Sequence, residues 1–235
     1  AAMQEKVNAI SNALLNAGIQ PKQKIGVFQD PSSIWICSLL AIWRIGAIYV
    51  PLDPKRGIDA LAAIVNDAKL DLILTCPVTS QGNETLLQTI PVVSTESPAP
   101  GAMPENLASS DDSAAILFTS GSTGAPKGIE IRHGALMNLL EAYSKTFDLG
   151  RPVVLQHTTY SFDIALDQII TGLGLGGSLY VASTSERQDS RLLAEAIVKA
   201  QITYTKATPS EYSSWLDHGR ATLSEAAAWR WAAIG

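Results

Sequence analysis

The stretch ILFTSGSTGAPKG, residues 116–128, decides the fold and the chemistry of this chain. Apolar residues enter it at Ile116, and a second apolar strand is predicted over 129–132, so the part rich in glycine and hydroxyl groups is a loop between two strands. Its glycines allow backbone N–H groups to approach an anion, the hydroxyls add donors, and Lys127 adds a mobile positive charge. The pattern predicts a loop that binds phosphate.

The best-known phosphate motifs do not describe this loop. A Walker loop needs Gly-Lys-Ser/Thr at the start of a helix, whereas here Pro126 precedes the lysine and Gly128 follows it. Only Gly121 and Gly124 stand where a dinucleotide fingerprint needs glycine. A flexible linker is the remaining alternative, but linkers are not usually held between two apolar strands. We therefore expect a phosphate site of another class.

Alternating strands and helices extend from the loop in both directions. Val7, Ile10 and Leu14 open the chain at helical spacing, and Gly18 ends that helix. Further helices are predicted over 32–46, 58–68, 135–147, 164–173 and 192–200, and strands over 24–28, 47–50, 70–75, 114–118, 129–132, 153–156, 178–182 and 202–205. This alternation predicts an α/β fold with doubly wound, mostly parallel sheets and helices on both faces.

One segment interrupts the alternation. Residues 91–104 are rich in proline, serine and alanine and lack periodicity, which predicts a surface connection between sub-lobes of roughly 1–104 and 105–235. The final segment, 231–235, is apolar and is typical of an interior strand. Because chain termini usually lie at surfaces, we expect the chain to be part of a larger domain.

Composition bounds the possible partners. The 235 residues are 46% hydrophobic and 17% charged with a net charge of -5, which is typical of a packed globular domain and disfavours nucleic acid as a partner. The longest apolar run, 34–45, is too short to span a bilayer and has no basic leader. Cys37 and Cys76 lack metal-ligand spacing. We expect a soluble cytoplasmic protein with no membrane partner, disulfide framework or metal site.

The 116–128 stretch resembles the phosphate-loop signature of the adenylate-forming superfamily, which comprises acyl-CoA synthetases, luciferases and the adenylation domains of peptide synthetases. The stretch RIGAIYVPLDP, residues 44–54, resembles a second motif of that superfamily. The similarity covers essentially the whole chain. It implies an incomplete N-terminal lobe of the adenylate-forming fold, with the C-terminal lobe absent.

The resemblance implies that the loop handles the β- and γ-phosphates of ATP while a carboxylate attacks the α-phosphate. It implies a catalytic role for Lys127, whose charge is directed at the leaving pyrophosphate. Mg²⁺ would be held mainly by ATP and by a glutamate beyond Gly235. The implied phosphate-binding residues are Thr119, Ser120, Gly121, Ser122, Thr123, Gly124 and Lys127.

The pair Phe162-Asp163 stands at the start of a predicted helix and allows two interpretations. From the residues alone, Asp163 is a helix N-cap. By resemblance it matches the aspartate of peptide-synthetase adenylation domains, a buried carboxylate that accepts the α-ammonium of the substrate. The same alignment implies a side-chain pocket at positions that would otherwise be ordinary packing or surface charge. The implied substrate-binding residues are Phe162, Asp163, Ile164, Asp167, Lys206, Ala232 and Ile234.

Asp167 and Lys206 carry opposite charges, so two outcomes are open for this pocket. The two side chains pair with each other and leave a small, mostly apolar pocket, or they hydrogen-bond a polar substrate side chain. We favour the polar substrate, because in a pocket that needs only an apolar fit hydrophobic residues would replace a buried ion pair without loss.

The resemblance implies activation of an amino acid as its aminoacyl-adenylate and transfer to the phosphopantetheine thiol of a carrier protein in non-ribosomal peptide synthesis. Residues 202–212 look most like fungal domains, including those of polyketide-peptide hybrid synthases. The expected partners are the amino acid, the carrier-protein domain and the C-terminal lobe, and residues 1–235 alone are expected to be inactive. The alternatives are the adenylation domain of a carboxylate reductase, an acyl- or aryl-CoA ligase, and a non-catalytic nucleotide-binding module.

Overall fold

The computed structural model describes residues 2–76, 79, 90–96, 99, 101–120 and 126–235. Contacts divide the chain into two compact units, Ala1–Ala135 and Leu136–Gly235. Both are α/β units with largely parallel sheets, which confirms the predicted fold class.

The first unit is built on a sheet with the strand order β4-β3-β1-β2-β5-β6. Its strands pair in parallel except for the antiparallel hairpin of β5 and β6. The elements are α1 (Ala2–Asn16), β1 (Lys24–Phe28), α2 (Ser33–Arg44), β2 (Ile48–Pro51), α3 (Ile58–Ala68), β3 (Leu72–Thr75), β4 (Val92–Ser94), β5 (Ser113–Ser120) and β6 (Pro126–Arg132).

Helices cover both faces of this sheet. Successive side chains of β2 point to opposite faces, and two of them contact two different helices. The hydroxyl of Tyr49 accepts a 2.9 Å hydrogen bond from Trp35 Nε1 of α2. The next residue, Val50, lies in one apolar cluster with Leu61 and Ile64 of α3. The first unit is therefore doubly wound, as predicted.

The second unit contains a four-stranded parallel sheet with the order β10-β9-β7-β8. The helix α4 (His133–Thr146) begins three residues before the boundary of this unit. The other elements are β7 (Val153–Gln156), α5 (Asp163–Gly174), β8 (Ser178–Val181), α6 (Thr184–Gln188), α7 (Ser190–Lys199), β9 (Tyr204–Ala207), α8 (Pro209–Leu223) and β10 (Trp231–Ile234).

The register of β9 and β10 sorts their side chains onto two faces. Lys206 is paired with Ala233, and directly paired residues share a face. Tyr204, two residues before Lys206, lies on that same face. Ala207 points to the opposite face, where it packs in a cluster with Trp215 of α8. The face of Lys206 is the one that concerns the candidate site.

The structure departs from the sequence prediction in several places. The segment 91–104 contains the short strand β4, and α6 and α8 were not predicted. The division by contacts falls after Ala135 instead of near 104, because β5 and β6 extend the sheet of the first unit by pairing with β2. The strand β10 lies at the edge of the sheet that residues 1–235 form, with partly exposed side chains.

Candidate functional site

In the first unit, the hairpin of β5 and β6 brings two predicted phosphate ligands together. Thr119 is paired with Lys127, and Ser120 with Pro126. Because paired residues share a face of the hairpin, the Thr119 hydroxyl and the Lys127 ammonium lie on the same side, and both residues are exposed. The predicted ligands Gly121, Ser122, Thr123 and Gly124 lie outside the described residues.

Close packing explains why glycine follows the lysine in this hairpin. Gly128 is paired with Phe118. A Cβ atom added at Gly128 would lie 3.1 Å from Ile116 Cγ2 and 3.2 Å from Phe118 Cζ. A larger residue would push these apolar side chains away, so glycine keeps the two strands in register on either side of the loop.

In the second unit, Asp163 is the first residue of α5 and its side chain is exposed. Phe162, which is 57% exposed, occupies the N-cap position without a side-chain cap bond. Asp163 Oδ1 accepts a 2.9 Å hydrogen bond from the Ile164 N–H. The expected N-cap position and the expected burial were therefore both wrong, because the helix begins one residue earlier than a cap at Asp163 requires and its start is open to solvent.

One helical turn further, Asp167 is buried and pairs with Lys206. Asp167 Oδ2 lies 2.6 Å from Lys206 Nζ, and the two side chains are 5% and 15% exposed. Burial disfavours the ammonium, but hydrogen bonds to Asp167 and Tyr143 outweigh it and raise the pKa of Lys206. In the structure these two side chains pair with each other, whereas the favoured prediction had them hydrogen-bond a polar substrate side chain.

Two residues outside the predicted set complete this polar cluster. The Tyr143 hydroxyl of α4 donates to Asp167 Oδ2 at 2.9 Å and accepts from Lys206 Nζ at 3.0 Å. Thr171 Oγ1 donates to Asp167 Oδ1 at 3.3 Å. The cluster of Tyr143, Asp167, Thr171 and Lys206, which we call the buried tetrad, therefore satisfies both carboxylate oxygens from inside the unit.

The pocket residues predicted in β10 do not join the tetrad. Ala232 and Ile234 are paired with Thr205 and Ala207, on the face opposite Lys206, and Ile234 is 69% exposed. Gly235 follows on the Lys206 face: a Cβ atom added there would lie 2.8 Å from Lys206 Cε and 3.1 Å from Ile164 Cδ1. The structure thus brings Ile164, Asp167, Lys206 and Gly235 together.

Two polar side chains that the sequence analysis missed, the buried Gln168 and the half-buried Arg187, hold the loop before α5. Gln168 Nε2 donates to the Lys206 carbonyl at 2.8 Å and to Thr158 Oγ1 at 3.0 Å. The guanidinium of Arg187 donates to the carbonyls of Ala182, at 2.8 Å, and His157, at 2.6 Å. Burial lowers the pKa of Arg187 to about 10. These bonds hold the carboxyl ends of β7, β8 and β9, which lie next to the candidate site.

Neither a metal centre nor a membrane span is found in the part of the chain that the structure describes. No three His, Cys, Asp or Glu side chains of that part lie close enough together to hold a metal ion. No helix there is long and apolar enough to cross a bilayer.

The chain is similar to a known protein family and to several characterised proteins. The family described as AMP-binding enzyme matches residues 1–233. Trichosetin synthetase PKS-NRPS1 of Gibberella fujikuroi is 43% identical over 99% of this chain, and equisetin synthetase of Fusarium heterosporum is 41% identical over 99%. In each case the chain spans 6% of the length of the relative.

Solved structures share the fold. A four-domain non-ribosomal peptide synthetase bound to AMP and glycine matches 92% of this chain and 16% of its own with a TM-score of 0.79 and 26% identity. The synthetase FmoA3 matches 99% of this chain and 25% of its own with a TM-score of 0.90 and 20% identity. The N-terminal domain of FACL13 from Mycobacterium tuberculosis matches 100% of this chain and 62% of its own, with a TM-score of 0.84 and 17% identity.

These matches confirm the resemblance to the adenylate-forming superfamily and to the N-terminal lobe of its fold. The family match includes nearly every residue, and it contains the hairpin, α5 and the tetrad. The chain belongs to the AMP-binding enzyme family.

Proposed function

We propose that this chain is the N-terminal part of a non-ribosomal peptide synthetase adenylation domain. The domain would convert an amino acid and ATP into an aminoacyl-adenylate and pyrophosphate, and would pass the aminoacyl group to the phosphopantetheine thiol of a carrier protein. The similarity to fungal hybrid synthetases supports this class. The observation that best supports an amino acid as the substrate is the exposed carboxylate of Asp163, directly after Phe162 at the start of α5.

Asp163 is suited to hold the substrate α-ammonium. Its Oδ1 accepts from the Ile164 N–H, and no donor among the described residues bonds Oδ2, which is therefore available to accept from an ammonium group. The carboxylate has no ion-pair partner in the described part of the chain, so a bound ammonium would complete it. The fixed first turn of α5 orients the oxygen without a further conformational cost.

The hairpin of β5 and β6 is suited to the triphosphate of ATP. Thr119 offers a hydroxyl and Lys127 an ammonium on one exposed face, on either side of the loop that contains Gly121, Ser122, Thr123 and Gly124. An ammonium at this place would stabilise the charge that develops on the leaving pyrophosphate. ATP would bring its Mg²⁺ with it, and the remaining ligands and the C-terminal lobe would come from other parts of the complete domain.

The substrate side chain would lie among Ile164, Asp167, Lys206 and Gly235. The closed ion pair keeps its own charges satisfied, yet Lys206 uses only two of its three N–H donors within the described residues. This unused donor supports a side chain that accepts hydrogen bonds, and hence the polar amino acid that the sequence favoured.

The fold does not choose between substrate classes, because one fold can host many different activities. The experiment that chooses is ATP–pyrophosphate exchange by the complete adenylation domain with amino acids, fatty acids and aryl acids as substrates. The proposal expects exchange with amino acids to exceed exchange with the other acids by about 100-fold or more. Exchange with a fatty or aryl acid that equals or exceeds exchange with every amino acid would support a ligase instead.

A further inference from the structure

The hydroxyl of Tyr143 joins both charged members of the buried tetrad. It donates to Asp167 Oδ2 at 2.9 Å and accepts from Lys206 Nζ at 3.0 Å. One side chain therefore stabilises the anion, the cation and their mutual position.

Aromatic packing holds Tyr143 in place. Its ring contacts Phe147 edge-on with the centroids 5.7 Å apart, and Phe147 contacts Trp231 of β10 edge-on at 5.4 Å. Edge-to-face contacts of this kind restrict ring rotation. The fixed ring therefore holds the hydroxyl in position, so the hydroxyl can bond both charged groups without a rearrangement of the ring.

The closed pair makes charge costly for an incoming side chain. A cationic side chain could reach the Asp167 carboxylate only by displacing Lys206 Nζ from its 2.6 Å contact, and this would leave a buried ammonium without its anion. An anionic side chain would in the same way displace Asp167 from Lys206. An uncharged side chain displaces neither partner, because it can use the third N–H of Lys206.

We propose that Tyr143 is a specificity-determining residue, which locks the Asp167–Lys206 pair so that the subsite accepts uncharged amino-acid side chains and rejects cationic and anionic ones. Tyr143 acts through the pair and is a positioning residue. The inference rests on the proposed function, since it needs an amino acid bound at Asp163.

The test is Tyr143→Phe in the complete adenylation domain, with ATP–pyrophosphate exchange measured for uncharged amino acids and for lysine, ornithine, aspartate and glutamate. We expect discrimination against the charged amino acids, as the ratio of kcat/KM values, to fall by about tenfold or more. The change should appear in KM for the amino acid, with kcat and KM for ATP nearly unchanged. A folding defect alone would not move a ratio measured on one preparation.

Tyr212→Phe is the matched control. This variant also removes a phenolic hydroxyl that bonds to the same sheet, but on the face away from Lys206. The Tyr212 hydroxyl lies 2.8 Å from Thr205 Oγ1 and 3.0 Å from the Ala233 carbonyl. The discrimination ratio of Tyr212→Phe should stay within about twofold of wild type. If Tyr143→Phe does not fold, Tyr143→Met, which also lacks the hydroxyl, is measured against the same criteria.

The outcomes separate the inference from the proposed function. A wild-type domain that exchanges pyrophosphate with amino acids, combined with a Tyr143→Phe ratio within about twofold of wild type, overturns the inference alone. A wild-type domain without any amino-acid-dependent exchange overturns both. A lowered ratio in Tyr143→Phe with an unchanged ratio in Tyr212→Phe supports it.

Discussion

Asp167 and Lys206 form an ion pair of 2.6 Å between α5 and β9, with the two side chains 5% and 15% exposed. The pair lies one helical turn below Asp163, whose carboxylate is open to solvent. An exposed anion at the start of α5 and a buried ion pair one turn further along suit different tasks: the first can take an ammonium, and the second can shape a subsite. The predictions below test these assignments and the structure that supports them.

Lys127→Ala in the complete domain should lower the rate of ATP–pyrophosphate exchange by about 10²–10³, the usual effect of losing one electrostatic stabiliser of a transition state. The lysine stands opposite Thr119 on the exposed face of the hairpin. Lys145→Ala removes a 72% exposed lysine and serves as the control. Exchange by Lys127→Ala within about threefold of wild type would exclude the assigned role.

Gly235→Ala should change substrate selectivity more than Ile234→Ala does. The new methyl group would lie 2.8 Å from Lys206 Cε and 3.1 Å from Ile164 Cδ1, so the subsite must shrink or shift. We expect kcat/KM for larger amino acids to fall about tenfold relative to smaller ones. Ile234 is 69% exposed on the other face and is the matched control. A larger effect at Ile234 would restore the pocket assignment made from sequence.

Glu211 should make the second unit sensitive to acid. His157 Nε2 lies 3.4 Å from Glu211 Oε1, and this contact, together with bonds at Thr208, lowers the pKa of Glu211 from 4.5 to about 2. A carboxyl group whose pKa falls on folding adds stability above its ordinary pKa and loses it as the pH falls through its folded value, here between 4.5 and about 2.

Glu211→Gln should therefore lower the free energy of unfolding at neutral pH by about 1 kcal/mol, a value discounted for solvent screening of this half-exposed carboxylate. It should also flatten the loss of stability towards pH 2. Chemical denaturation at a series of pH values measures both effects. The same substitution at the exposed Glu225 is the control, and an identical pH profile for the two variants would rule out the His157–Glu211 contact.

Arg187→Met should destabilise the second unit by about 3 kcal/mol, because it leaves the carbonyl groups of Ala182 and His157 without donors. The guanidinium also donates to Gln156 Oε1 at 2.7 Å, at the end of β7. Arg191→Met, at a side chain that is 72% exposed, should change the free energy of unfolding by less than about 0.5 kcal/mol. Equal denaturation midpoints for the two variants would show that the hydrogen bonds of Arg187 do not stabilise the second unit.

Much of the first unit and the start of α5 could be predicted, because their signals are local. Apolar strands on both sides of the glycine loop predict the hairpin of β5 and β6, and helical spacing after Phe162 predicts α5. The pairing of Asp167 with Lys206 was one of two predicted outcomes, since opposite charges in a buried pocket must be satisfied.

The face of β10 and the role of Tyr143 could not be predicted, because they depend on tertiary structure. Ala232, Ala233 and Ile234 are all apolar, so no period-2 pattern shows which of them faces Lys206. Tyr143 is separated from Asp167 by 24 positions and from Lys206 by 63, and no local pattern connects them. By contrast, α8 had a readable signal in the capping box of Thr208 and Glu211 with Pro209 at its start.

The central claim is that the domain activates an amino acid held through Asp163, and Asp163→Ala in the complete domain tests it most directly. Amino-acid-dependent ATP–pyrophosphate exchange should fall by about 10²–10³ or more, the cost of leaving an ammonium unpaired, while ATP binding changes little. Asp217→Ala, at an exposed aspartate of α8, should leave exchange unchanged. Normal activation of the amino acid by Asp163→Ala would contradict the account and reduce Asp163 to the first residue of a helix.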